Sequence, residues 1–138
     1  MKPKKENEIK LKGNPNKKYK VSYEIIQDFK EKVTTENTFR PIINSNYFHV
    51  FGKSLFMMPY SNFTDDDPSV EIQILWKSEF GSYDITNSFG TEKTQKFKAK
   101  FSEFSSSIFL GGKLNSYEKL WNQNNVVLST PDTWENVD

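Results

Sequence analysis

The sequence predicts a mainly β protein, an antiparallel sandwich or barrel with one or two short helices. Three observations support this. Several short apolar stretches alternate with polar residues at the period of a half-buried strand. Turn-forming residues separate them, at Gly52-Lys53, Pro68, Gly81, Gly90 and Gly111-Gly112. No strand pattern is followed by a long helical one, which sets aside a doubly wound α/β fold. At 138 residues the chain fits one domain. Twelve Phe, six Tyr and three Trp supply a core, because each buried aromatic removes about 150–250 Å² from water.

Residues 1–18 read as a basic arm, and 19–138 as the body. Pro3, Gly13, Asn14 and Pro15 break any regular element in the arm, whose apolar residues are Met1, Ile9 and Leu11. Residues 19–39 fit two patterns. Val21, Tyr23 and Ile25 alternate as in a strand, whereas Ile25, Ile26, Phe29 and Val33 form a helical stripe that Ser22 could cap. A strand up to Ile26 is the first reading. An α+β fold with a helix over about 22–34 is the alternative. Thr34, Thr35 and Thr38 favour extended structure near the end of this stretch.

Residues 47–58 place two aromatic runs either side of Gly52-Lys53, which predicts a hairpin. A polar loop follows, ending in Asp65-Asp66-Asp67-Pro68. Val70, Ile72, Ile74 and Trp76 then alternate with Glu71, Gln73, Leu75 and Lys77, the cleanest strand pattern in the chain. Gly81 and Gly90 bracket a short segment holding Tyr83 and Ile85. Over 93–104, Phe97, Ala99 and Phe101 point one way and Lys96, Lys98 and Lys100 the other. Ile108-Phe109-Leu110 runs into Gly111-Gly112. Asn115 or Ser116 could cap a helix with Tyr117, Leu120 and Trp121 on its apolar side, ending in the Asn-rich stretch 122–125. Val126-Val127-Leu128 suggests a last strand, and the tail is acidic.

Composition excludes several chemistries. The chain has no cysteine, so disulfides, zinc-thiolate sites and thiol nucleophiles are ruled out. This fits a reducing compartment, or a place in a virion or other assembly. No apolar run approaches the ~20 residues that span a bilayer, and no apolar segment follows the basic start as in a secretory signal. A soluble protein is therefore expected. Asn62-Phe63-Thr64 is a glycosylation sequon that matters only in a secretory pathway.

The catalytic motifs tested fail. Gly52-Lys53-Ser54 resembles the tail of a P-loop, but Tyr47 stands where the motif needs its first glycine. Asp65, Asp66, Asp67 and Glu71 could gather a hard cation. In an EF-hand register, however, Val70 falls where glycine is required and Trp76 where the glutamate belongs. A solvated turn before Pro68 is the better reading. His49 is the single histidine, between Phe48 and Val50. A triad would combine it with Asp28 or Asp84 and a serine such as Ser54, yet no nucleophile elbow is present. It reads instead as a satisfied core or edge histidine. No catalytic residue, metal site or cofactor is expected. A carboxylate-dependent hydrolase stands as a third-ranked reading, because eighteen acids always offer pairs.

Charge is unevenly placed. Lys2, Lys4, Lys5, Lys10, Lys12, Lys17, Lys18 and Lys20 face only Glu6 and Glu8, so the first twenty residues carry +6. The whole chain is +1, which leaves −5 on residues 21–138. Lys96, Lys98 and Lys100 stand ~6.6–6.8 Å apart on one strand face, close to the phosphate spacing of a single strand. Such a row either contacts nucleic acid or keeps an exposed strand soluble. Arg40 is the single arginine, and arginine scarcity argues against reading of base edges. The leading expectation is a non-catalytic structural or protein-interaction module. It would dock into an assembly or onto a protein partner or second copy, with these eleven lysines as contact residues. A sequence-independent nucleic-acid binder is the alternative.

Overall fold

The computed structural model of the protein describes residues 16–57, 68–78 and 82–132. In chain order the elements are β1 (Ile42–Ile43), β2 (Tyr47–Phe51), α1 (Gly52–Leu55), β3 (Ser69–Leu75), β4 (Asp84–Thr86), β5 (Thr94–Lys100), α2 (Phe101–Ser106), β6 (Ile108–Gly112), β7 (Asn115–Trp121) and β8 (Asn124–Thr130). Among the described residues, all strand pairs are antiparallel and no sheet closes into a barrel. One sheet has the order β1-β2-β6-β4, a second pairs β3 with β5, and a third is the β7–β8 hairpin.

The alternation read from β3 and β5 sets their two faces. Val70, Ile72 and Ile74 pair with Ala99, Phe97 and Gln95 on the inner face, while Glu71 and Gln73 pair with Lys98 and Lys96 in water. The core lies between this pair and the first sheet. Phe109 is fully buried and meets Phe56, Phe104, Trp76 and Phe89 at centroid distances of 5.1–6.2 Å. Phe48 stacks on Trp76 at 5.8 Å, and Phe89 lies parallel to Phe97 at 3.9 Å. Each such ring pair contributes about 0.5–1.5 kcal/mol beyond the area it buries.

The structure corrects five sequence expectations. The hairpin expected at Gly52-Lys53 is a helical turn, α1. Its Gly52 N–H donates to the Ser107 carbonyl at 2.8 Å, and a Cβ there would strike the Phe104 carbonyl oxygen. Glycine lets α1 and α2 approach closely at one end of the paired strands, where β2 runs into α1 and α2 leads into β6. The strand expected through residue 104 stops at Lys100, where the Glu103 carboxylate accepts the Lys100 N–H at 3.0 Å and starts α2.

The helix expected after Asn115 or Ser116 is strand β7. Asn122 and Gln123 adopt φ of 47° and 65°, the left-handed pair of a two-residue hairpin turn, and Trp121 faces Asn124 across it. Residues 22–34 form neither helix nor paired strand. They are irregular and are pinned by side chains. The Tyr23 hydroxyl donates to the Leu55 carbonyl at 3.0 Å and accepts the Met57 N–H at 3.1 Å. Gln27 Oε1 accepts the Ile43 N–H at 2.9 Å, and Phe29 is buried. The threonines expected to prolong extended structure instead enter a turn. There the Thr34 carbonyl accepts the Thr38 N–H at 3.1 Å, and Asn37 Oδ1 accepts the Thr34 N–H at 2.8 Å.

Candidate functional site: exposed interaction surfaces

Of the eleven lysines singled out as contact residues, Lys2, Lys4, Lys5, Lys10 and Lys12 lie outside the described residues. Lys17, Lys18 and Lys20 are exposed at the start of the irregular segment. Lys96, Lys98 and Lys100 stand exposed along β5 as their spacing predicts. They face Gln73, Glu71 and Ser69 on β3, so one carboxylate sits directly opposite the middle lysine. That pairing draws part of the row's charge back into the protein.

The β7–β8 hairpin is the surface that the sequence did not reveal. Its register puts Tyr117 opposite Leu128 and Lys119 opposite Val126, on the same face as Trp121. Tyr117, Trp121 and Leu128 are all more than half exposed, and Leu120 is 70% exposed on the other face. The hairpin is tied to the body at its base. There Ser129 Oγ lies 3.0 Å from Thr86 Oγ1 and 2.8 Å from Ser116 Oγ. A two-stranded ribbon is marginally stable by itself in water, and solvent-facing Trp and Leu at its tip add nothing to its stability. The signal for this surface was present in the alternation of Tyr117, Lys119 and Trp121 leading into Asn122-Gln123.

His49 lies in the centre of β2, between Ile42 of β1 and Leu110 of β6. Burial pushes its pKa below the usual histidine value, against a smaller opposing effect from its own backbone. Among the described residues, its buried Nδ1 has no hydrogen-bond partner, which corrects the expectation of a satisfied histidine. Among the described residues, no hydrogen bond links His49 to Ser54, Asp28 or Asp84. Asp84 is on β4, two strands across from β2 and opposite the Gly112 that pairs with Tyr47. Strand spacing alone separates its backbone from that of His49 by about 10 Å. Asp28 is instead 3.9 Å from Arg40, an exposed pair.

Asp65, Asp66 and Asp67 lie outside the described residues, and Glu71 is committed to the face of Lys98. Among the described residues, no three metal-ligating side chains gather. Among the described residues, a cleft of about 260 Å³ lies beside Tyr47, Phe48, Lys77 and Tyr83. Another, of about 610 Å³, follows β3 past Phe56, Met57 and Phe101. Glu71 is the single acid among the described residues lining either cleft. Among the described residues, no helix is long and apolar enough to cross a membrane. No protein-family model matches the chain, and no curated protein or solved structure matches it.

Proposed function

We propose that this chain is a non-catalytic protein-interaction module that docks onto a partner through the exposed apolar side chains of its β7–β8 hairpin. The observation behind this reading is the exposure of Tyr117, Leu120, Trp121 and Leu128 together on one two-stranded ribbon. Tyrosine and tryptophan of this kind anchor interfaces, because they bury large area at low entropic cost. The Lys-rich N-terminal stretch belongs to the proposal on charge alone, as a cationic segment that steers an anionic partner. Docking into a larger assembly and docking onto a single partner use the same surface.

The test compares proteins captured from a lysate of the source organism by the full chain and by a Leu120→Ser/Trp121→Ser variant. Quantitative mass spectrometry reads the difference. A partner retained by the parent chain, lost with the variant, and bound directly when purified supports the reading. An identical set on both baits overturns it.

The exposed row of Lys96, Lys98 and Lys100 favours a second reading, contact with single-stranded nucleic acid. Replacing all three by Gln weakens binding of a fluorescent oligonucleotide and flattens its salt dependence if this reading holds. Unchanged affinity rejects it.

A further inference from the structure

The two sheets of the body end in four strand edges, and three of these are protected. β1 is two residues long, and Gln27 caps its Ile43 N–H. β4 is three residues long. β5 carries exposed Lys96, Lys98 and Lys100. Short edges, capped edges and lysine rows all discourage pairing with another chain.

The edge of β3 has none of these devices. It is seven residues long, its one charge is Glu71, and among the described residues it pairs with β5 alone. The 610 Å³ groove runs along it, walled by Phe56, Met57 and Phe101. Leu75, at its end, is 57% exposed.

We propose that this edge pairs antiparallel with β3 of a second copy of the chain, joining the two copies in one four-stranded sheet of order β5-β3-β3-β5. The occupant is argued from self-complementarity. Opposed residues of an antiparallel pair share a face, so a slip by one residue would set apolar side chains against polar ones. The allowed register that uses all seven residues is centred on Ile72. It sets Val70 against Ile74 of the second copy and Ile72 against its own counterpart, all on the apolar inner face. On the outer face it sets Glu71 against Gln73 and Ser69 against Leu75. No like charges meet across the junction. The two lysine rows lie on the outermost strands, about 14 Å apart, beyond a Debye length at physiological salt. The twofold arrangement is closed, so pairing stops at the dimer. The proposal uses a different surface from the hairpin and does not depend on it.

Sedimentation of the full chain across a concentration series tests it, with Gln73 as the probe. Gln73→Glu faces Lys96 within its own sheet but Glu71 of the second copy, twice by symmetry. It should weaken dimerisation about tenfold or more, with an unchanged circular dichroism spectrum and, at concentrations where both chains are monomeric, no loss of thermal midpoint. Gln73→Lys presents the opposite sign to Glu71 and should keep or tighten the dimer. Three outcomes overturn the proposal: a parent chain that stays monomeric throughout the series, a dimer to which the sign of residue 73 makes no difference, or a dimer lost in Trp121→Ser but kept in Gln73→Glu.

Discussion

The side-chain amides of Gln95 and Asn87 bond to each other in both directions: Gln95 Nε2 donates to Asn87 Oδ1 at 3.1 Å, and Asn87 Nδ2 donates to Gln95 Oε1 at 2.9 Å. The same Gln95 oxygen accepts the Trp76 indole N–H at 2.8 Å, and the same Asn87 oxygen accepts the Phe89 N–H at 2.9 Å. Gln95 is 2% exposed and is the one fully buried polar side chain among the described residues. This pair ties the turn over Asn87–Gly90 to β5 and fixes the indole that stacks on Phe48.

Loss of Gln95 should therefore cost more than the hydrogen bonds it makes. Gln95→Leu keeps the volume but strands the Trp76 indole and the Asn87 amide in the core. Each stranded group costs about 1–3 kcal/mol, so a loss of roughly 2–4 kcal/mol in urea unfolding is expected. Asn87→Ala in the Gln95→Leu background should cost much less than in the parent chain, because the pair acts as one unit. Full additivity in that cycle would mean the network carries no shared energy.

Gly111 marks a point of close approach between β6 and the side chains of its neighbours. A Cβ there would overlap the Phe48 ring and come within 2.8 Å of Ile85 Cδ1. Neither can yield easily, since Phe48 is held by Trp76 and Ile85 is 2% exposed. Gly111→Ala should destabilise by about 1–3 kcal/mol, the usual cost of overpacking. A thermal midpoint equal to that of the parent chain would show that the Phe48 ring moves freely.

These constraints explain which parts of the fold were legible in the sequence. In β3 and β5 one face meets water and the other the core, so the polar/apolar alternation is the structure itself. The lysine row was legible for the same reason. α1 was not, because the need for Gly52 comes from the Phe104 carbonyl, fifty-two residues away in the chain. Residues 22–34 offered a helical stripe, yet Ile26 is 65% exposed and Phe29 alone is buried there. What holds that segment is the hydrogen bonding of Tyr23 and Gln27, which leaves no periodic trace. The hairpin surface was hidden because an apolar residue reads the same whether it faces the core or water. Tyr117, Leu120 and Trp121 fit a buried helical stripe until the left-handed turn at Asn122-Gln123 decides otherwise.

His49 should make stability fall on mild acidification. Its folded pKa lies below the unfolded value of 6.5, so between those two values the unfolded chain binds more protons. Unfolding is then favoured as pH falls. The contribution is absent above about pH 7, develops as pH drops through 6.5, and levels off below the folded pKa. His49→Phe keeps a ring against Phe51, which His49 now meets edge-on at 6.1 Å. Urea midpoints for both proteins between pH 7.5 and 5 (an interval of about 2.5 units around the ordinary histidine value) should diverge, with the parent chain falling faster. Parallel curves would show that protonated His49 is accommodated without cost.

The hairpin residues should separate stability from binding. Leu120 is 70% exposed and Trp121 67% exposed, so replacing both by Ser removes little buried area. The change in unfolding free energy should stay within about 0.5 kcal/mol, as for surface positions generally. A core role would cost several times that, since large-to-small changes inside a protein cost about 2–5 kcal/mol. The turn itself behaves differently. Asn122 and Gln123 both need positive φ, so Gln123→Gly should stabilise the hairpin, because glycine takes that conformation without penalty. Hydrogen exchange over β7 and β8 reads this directly. Slower exchange in Gln123→Gly, with unchanged exchange in β2 and β6, would show a ribbon that opens independently of the body. An arm of that kind can be tuned or removed without disturbing the sheets beneath it. If the body amides slow in parallel, the hairpin unfolds with the core, and Trp121 must be assigned a structural role.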